Sequence, residues 1–206
     1  MAKGIGPDAS SEELWEEFWK SENKLLSFFR SSIFNRVVAA DLRSYLKDGD
    51  NKILEVGCGN GSILDHLEKW TDSSIGVDVV TVPFSESNGV DFVKGDAFEL
   101  PFKESSFDLV FSQGLLEHFK DPRPILRERI RVLKNRGYAV TFMPSENTAS
   151  EFLLEKSKIP PLSYLWPWKD RHYLLSMKEF RRLLFKLFDD KKAIKIDENW
   201  AFSRLS

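Results

Sequence analysis

Three glycines in five residues, Gly57, Gly59 and Gly61, stand in the run KILEVGCGNGSILDHLEKW (52–70), with Glu55 two residues ahead of the first. A turn so dense in glycine admits positive φ and removes the Cβ atoms that would keep a ligand off the backbone. The apolar KILEV before it reads as a strand and SILDHL after it as a helix. The turn therefore lies at the carboxyl end of a sheet, with free amides at the helix start facing any ligand. A dinucleotide turn carries glycines at its first, third and sixth positions, but the sixth position from Gly57 is Ser62. Glu55 adds a second distinction: a strand carboxylate repels a pyrophosphate and attracts a cationic ligand. Downstream, Asp78 closes IGVD, where a carboxylate can accept two hydrogen bonds from the vicinal hydroxyls of a sugar. Dinucleotide enzymes place an acid at a similar point, so Asp78 alone does not discriminate. Asp96 follows in VKGDAFELPF.

These residues need elements to position them. Leu14, Trp15, Phe18 and Trp19, then Leu25, Leu26 and Phe29, fall at helical spacing, with Ser10 and Glu13 as a capping box. A second helix is expected over 33–46. Strands then alternate with helices: KILEVG, SIGVDVV, VDFVKGD, SFDLVFSQ, YAVTFMP and KAIKIDENWAF are six expected strands. The first intervening helix buries Ile63, Leu64, Leu67 and Trp70. A helix over 122–134 buries Leu126, Ile130 and Leu133, and one over 176–188 carries Phe180, Leu183, Leu184 and Leu187. Alternation of this kind predicts an α/β fold: a Rossmann-like, doubly wound, mostly parallel sheet with an N-terminal helical cap. The expected division is a cap over 1–48 and a ligand-binding domain over 49–206. Pro83 and its polar neighbours forbid a full helix between Asp78 and Val90. An insertion near 145–175 is rich in proline and aromatics, including Tyr164, Trp166 and Trp168.

The 206 residues suit one domain with a substantial core. Thirty Lys and Arg against 32 Asp and Glu leave no basic footprint, which disfavours a nucleic-acid partner. The single cysteine, Cys58, excludes an intrachain disulfide and fits a reducing compartment. The expectation is a cytoplasmic protein, since the first residues have no apolar core of signal-peptide length and no stretch approaches about 20 apolar residues. No His, Cys and carboxylate cluster has metal-ligand spacing, so no metal is expected.

The order EVGCGNG, IGVD, VKGDAFELPF, SFDLVFSQGLLEHFKDP and ILRERIRVLKNRGYAVTFMP resembles the class I S-adenosylmethionine-dependent methyltransferases of small-molecule type, the methyltransferase type 11 family. The resemblance covers roughly 52–144, with a weaker echo in RHYLLSMKEFRRLLFKLF. It implies S-adenosyl-L-methionine as cofactor, with Glu55, Gly57, Cys58, Gly59 and Gly61 around its amino-acid end. It further implies Asp78 and Val79 at the ribose, Asp96 and the Ala97 amide at adenine, and Gln113 at the end of the fourth strand. The expected reaction is in-line methyl transfer to a small-molecule acceptor, which demands chiefly that the acceptor be held close and aligned. An oxygen acceptor needs deprotonation, so histidine is the first residue type to consider. His66 sits on the helix after the glycine turn and reads as structural. His118 and His172 are the catalytic candidates, against the plainer reading of each as a packing histidine. Trp19, Trp166, Trp168 and His172 are the candidate acceptor-binding residues.

Members of this family usually finish with a strand hairpin after the last helix, whereas this sequence stops at AFSRLS soon after its expected sixth strand. An absent seventh strand, a shortened chain, and a sheet edge completed by a second copy or a partner all remain open. The alternatives in function are a catalytically silent cofactor-binding or scaffold subunit that needs a partner, a protein methyltransferase, and a nucleotide-dependent oxidoreductase.

Overall fold

The structure is a computed structural model in which residues 12–13, 15–16, 35–47, 51–80 and 89–142 are described. Their core is a five-stranded sheet of β1 (Lys52–Val56), β2 (Ser73–Asp78), β3 (Val90–Lys94), β4 (Phe107–Gln113) and β5 (Leu133–Phe142). The spatial order is β3-β2-β1-β4-β5, and all four pairings are parallel. A parallel sheet needs both faces covered, and the central strand shows it: in KILEV every residue after Lys52 is buried. The helices are α1 (residues 35–43), α2 (Ser62–Leu67) and α3 (Arg123–Val132). Successive β1 residues feed opposite layers. Ile53 packs with Val38 and Leu42 of α1 and Ile63, Leu64 and Leu67 of α2, while Leu54 and Val56 join Val77, Phe107, Val110 and Val132 of α3.

Several boundaries move from the sequence expectation. The first crossover helix stops at Leu67, and Glu68–Trp70 is a 3₁₀ turn. Trp70 is only half-buried there, with the Arg43 guanidinium 4.7 Å and the Lys69 ammonium 4.4 Å from its ring centre. On α3 the expected stripe of Leu126, Ile130 and Leu133 is displaced. Ile125, Leu126, Arg129 and Val132 are buried, Ile130 is half-buried, and Leu133 already belongs to β5. β5 pairs first at Leu133↔Phe107 and again at Tyr138↔Leu109, so the residues between loop out as a bulge.

Inside that bulge Arg136 takes φ 68°, a left-handed conformation that costs a side-chain-bearing residue about 1–2 kcal/mol. Glycine adopts it freely but loses about 0.5–1 kcal/mol of unfolded-chain entropy on ordering. Arg136→Gly is therefore expected to stabilise the fold by about 0.5–1 kcal/mol, read as a higher urea midpoint at unchanged slope. The neighbouring Gly137 is fixed for a different reason: a Cβ there would stand 2.8 Å from the Asp108 carbonyl oxygen.

The expected helix over 176–188, the sixth strand, the aromatic insertion and the C-terminal sheet edge lie outside the described residues. So do the capping residue Ser10 and most of the expected N-terminal helix. Residues 12–13 and 15–16 are helical.

Candidate cofactor site

The glycine turn sits where the sequence places it, between the end of β1 and the start of α2. Gly57, Gly59 and Gly61 all take positive φ (74°, 53° and 72°), so the alternation of glycines is a backbone requirement. The amides of Gly57 and Cys58 both donate to the Val77 carbonyl, at 2.8 and 3.2 Å, which ties the turn to β2. Gly57 is also a close approach: a Cβ would lie 2.9 Å from Leu115 Cδ1. Helix α2 opens at Ser62, whose hydroxyl accepts a 2.6 Å bond from the Asn35 side-chain amide of α1.

Three carboxylates gather at this turn. Glu55 is 3% exposed, and its Oε2 has no hydrogen-bond partner. Burial holds the Glu55 carboxyl well above the usual carboxylate range, and the charges of Asp78 and Asp65 push it further the same way. Asp78, at the carboxyl end of β2, accepts the Gly59 amide at Oδ2 (2.8 Å) and the Val80 amide at Oδ1 (3.2 Å). Burial raises its pKa, and the amides of Gly59, Val80 and Val79 pull the other way. One group thus anchors the glycine turn and keeps acceptor capacity for a ligand, since each carboxylate oxygen has two lone pairs. Cys58 is buried among these acids; burial pushes its thiol upward and Glu55 and Asp78 add to it, which makes it a packing residue and no nucleophile.

The other expected cofactor residues line the same edge. Asp96 and Ala97 follow the end of β3 at Lys94, which stands in register with Asp78. Asp96 is exposed and caps its own turn, accepting the Phe98 amide at 2.8 Å. Val79 is half-buried just beyond β2, and Gln113 is half-buried as the last residue of β4. The topology therefore brings Glu55, the glycine turn, Asp78, Val79, Asp96, Ala97 and Gln113 to the carboxyl ends of four adjacent strands. Ligands bind there in open α/β sheets. Two contacts bring the N-terminal segment to this edge: Glu12 pairs with Lys94 at 2.5 Å, and the Trp15 ring meets His118 edge-on, 4.8 Å between centroids. His66 lies on α2, away from that edge. Trp19, Trp166, Trp168 and His172 lie outside the described residues.

Three features of the site were missed in the sequence. Glu128 and Arg131 pair on α3 (2.7 Å at both contacts). Together they clamp the loop that carries Asp96: Glu128 accepts the Leu100 amide, and Arg131 donates to the carbonyls of Leu100 and Phe102. The i, i+3 spacing in RERIR was the available signal. Arg129, between them, is 1% exposed. It donates to Ser112 Oγ, Thr141 Oγ1 and the carbonyls of Val110 and Val140, and burial pulls its pKa down to about 10. Glu117, in the 3₁₀ turn Leu116–His118, is 1% exposed with Oε2 unpartnered, and burial pushes its pKa up to about 8.

Glu117 makes a pH prediction. An acid whose folded pKa lies above its unfolded one costs nothing below the unfolded value, near 4.5, and progressively more up to about pH 8. Glu117→Gln removes the titration. Its stability advantage over the parent should therefore grow by on the order of 2 kcal/mol between about pH 6 and about pH 8, measured by urea unfolding.

The unpartnered, buried oxygen of Glu55 tests whether these residues suit a particular ligand. A buried carboxyl group with an open acceptor, beside two further acids and bare backbone, fits a cationic amino-acid group and does not fit a phosphate. Comparison with known proteins agrees. Residues 54–141 match the family model described as a methyltransferase domain, and this stretch belongs to that family, among the class I S-adenosylmethionine-dependent methyltransferases. The uncharacterized methyltransferase YcgJ of Bacillus subtilis is 28% identical over 128 residues, 56% of this chain and 51% of its own length. Its crystal structure overlays with a TM-score of 0.55 at 21% identity, covering 73% of this chain and 67% of that one, a likeness of fold alone. The 27-O-demethylrifamycin SV methyltransferase of Amycolatopsis mediterranei is 28% identical over 65% of this chain and 55% of its own length. A Staphylococcus aureus demethylmenaquinone methyltransferase is 32% identical over 63% of this chain and 57% of its own. The chain thus spans about half the length of the curated relatives it matches. Among the described residues no helix is long and apolar enough to cross a membrane, and no cluster of His, Cys, Asp and Glu suits a metal ion.

Proposed function

We propose that the protein transfers a methyl group from S-adenosyl-L-methionine to a small organic acceptor. The cofactor supplies a methyl group already activated on a sulfonium sulfur. The chain's task is then chiefly to bind, align and exclude water. Glu55 would hold the cofactor's ammonium, the Gly57–Gly61 turn its amino-acid backbone, Asp78 the ribose hydroxyls, and the Asp96–Ala97 turn the adenine. The observation that carries this reading is Glu55: a buried carboxylate with an empty acceptor, two residues before a turn of three positive-φ glycines.

The acceptor side rests on the aromatic residues at this edge of the sheet. Trp15 against His118, with Phe98 edge-on to Phe119 at 5.2 Å, makes an aromatic wall suited to an apolar ring. Relatives whose names specify rifamycin and menaquinone precursors support a small-molecule acceptor of that kind. His118 stands in this wall as a positioning residue or as the proton acceptor for a hydroxyl. Trp166, Trp168 and His172 remain proposed acceptor contacts, and a partner at the C-terminal sheet edge remains part of the proposal. The test is incubation of the purified chain with the cofactor and a panel of phenolic, quinol and amine acceptors. Gain of one methyl mass on a small acceptor, with stoichiometric S-adenosylhomocysteine, is expected. Methylation confined to added protein, or cofactor binding without transfer to any acceptor, would contradict the small-molecule reading.

A further inference from the structure

The acids at the glycine turn carry a consequence for binding itself. Glu55 faces the α1–α2 side of the sheet, as Ile53 does two residues earlier. The ionisable groups that act on it or feel its charge are Asp78 from β2, Asp65 from α2, and the Cys58 thiol from the turn. β4 presents Phe111 in register with it. The buried polar residue of α1 at this end is the neutral Asn35, engaged with Ser62, while Arg36 and Arg43 of that helix are exposed. The charges that act on Glu55 are thus both negative. Desolvated, without a hydrogen-bond donor at Oε2 and beside two acids, Glu55 is neutral in the free protein over a range where an ordinary carboxylate is ionised.

Resting on the cofactor reading above, we propose that the ammonium of the cofactor's amino-acid end displaces a proton from Glu55, so that cofactor binding and deprotonation of this one side chain are a single linked event. The proton leaves to solvent as the carboxylate takes up its new counter-ion, so that Glu55 and the ammonium together form a neutral pair. Affinity must then rise with pH, by up to about tenfold per unit, until Glu55 is already ionised in the free protein. Product release carries the same linkage in reverse: S-adenosylhomocysteine keeps the ammonium, so its departure takes one proton back.

Isothermal titration of the full chain with S-adenosylhomocysteine, at about pH 7 in buffers of different ionisation enthalpy, reads the proton directly. The expected result is a linear dependence of the heat on buffer ionisation enthalpy whose slope corresponds to net proton release on binding. 5′-Methylthioadenosine, which keeps ribose and adenine but lacks the amino-acid end, should bind with a heat independent of buffer. Glu55→Gln should bind S-adenosylhomocysteine with no proton release and a flat pH profile. Binding of S-adenosylhomocysteine with a buffer-independent heat to the parent chain overturns the inference alone. Equal release with both ligands overturns the assignment to Glu55 and moves the proton to the ribose end, at Asp78. No heat with either ligand overturns the cofactor reading and this inference together.

Discussion

Asp78→Ala is expected to weaken S-adenosylhomocysteine binding by about 1.5–3 kcal/mol, roughly a 10- to 150-fold rise in dissociation constant. Two losses combine. The ribose hydroxyls lose a charged acceptor, and the Gly59 and Val80 amides lose the oxygens that hold the turn and the segment after β2 in place. The effect on folding should be far smaller. Asp78 is itself held against the desolvation of burial, and removing the carboxylate relieves that cost, which offsets the lost hydrogen bonds. A binding defect with nearly unchanged urea stability is therefore the signature. Asp78→Asn should be intermediate, since it keeps an oxygen for one amide but loses the charge. Unchanged affinity in Asp78→Ala would place the ribose elsewhere.

Arg129→Ala should show the opposite pattern, a loss of about 3–5 kcal/mol of stability. The side chain is among the largest fully buried ones, and its removal opens a cavity between α3 and the β4–β5 pair. It also strips donors from Ser112, Thr141, Val110 and Val140. Among the described residues no carboxylate is its partner, and its Nε has none, so the charge itself brings a desolvation cost. Arg129→Met fills most of the volume without the charge and should stay within about 1–2 kcal/mol of the parent. Urea unfolding of the pair separates the two contributions. A fully stable Arg129→Ala chain would show that α3 repacks, and would refute a stabilising role for the guanidinium's bonds to β4 and β5.

The difference between these two residues is also the difference between what the sequence reveals and what it conceals. Asp78 is legible because it closes a short apolar strand at a fixed distance from three glycines, and strand, turn and helix each carry their own local signature. The parallel sheet is legible in the same way, from runs such as KILEV and FDLVFSQ. Arg129 is not. RERIR reads as a solvated charged face, and only the position of Arg129 four residues after Ile125 and three before Val132 sets it on the buried side. Glu117 is harder still, because a one-turn helix has no periodicity to show which of Leu116, Glu117 and His118 points inward. The bulge at 134–137 escaped because NRG offers a turn without revealing that arginine, not glycine, takes the left-handed place. Arg129 and Glu117 thus fell on elements whose local pattern was ambiguous, unlike the equally buried Glu55, and tertiary packing decided them.

The most direct measurement is a crystal structure of the chain with S-adenosylhomocysteine bound. The account predicts density for its ammonium beside Glu55, its amino-acid backbone along Gly57–Gly61, and its ribose hydroxyls on Asp78. A ligand seated elsewhere, or one turned so that adenine meets the glycine turn, would contradict it.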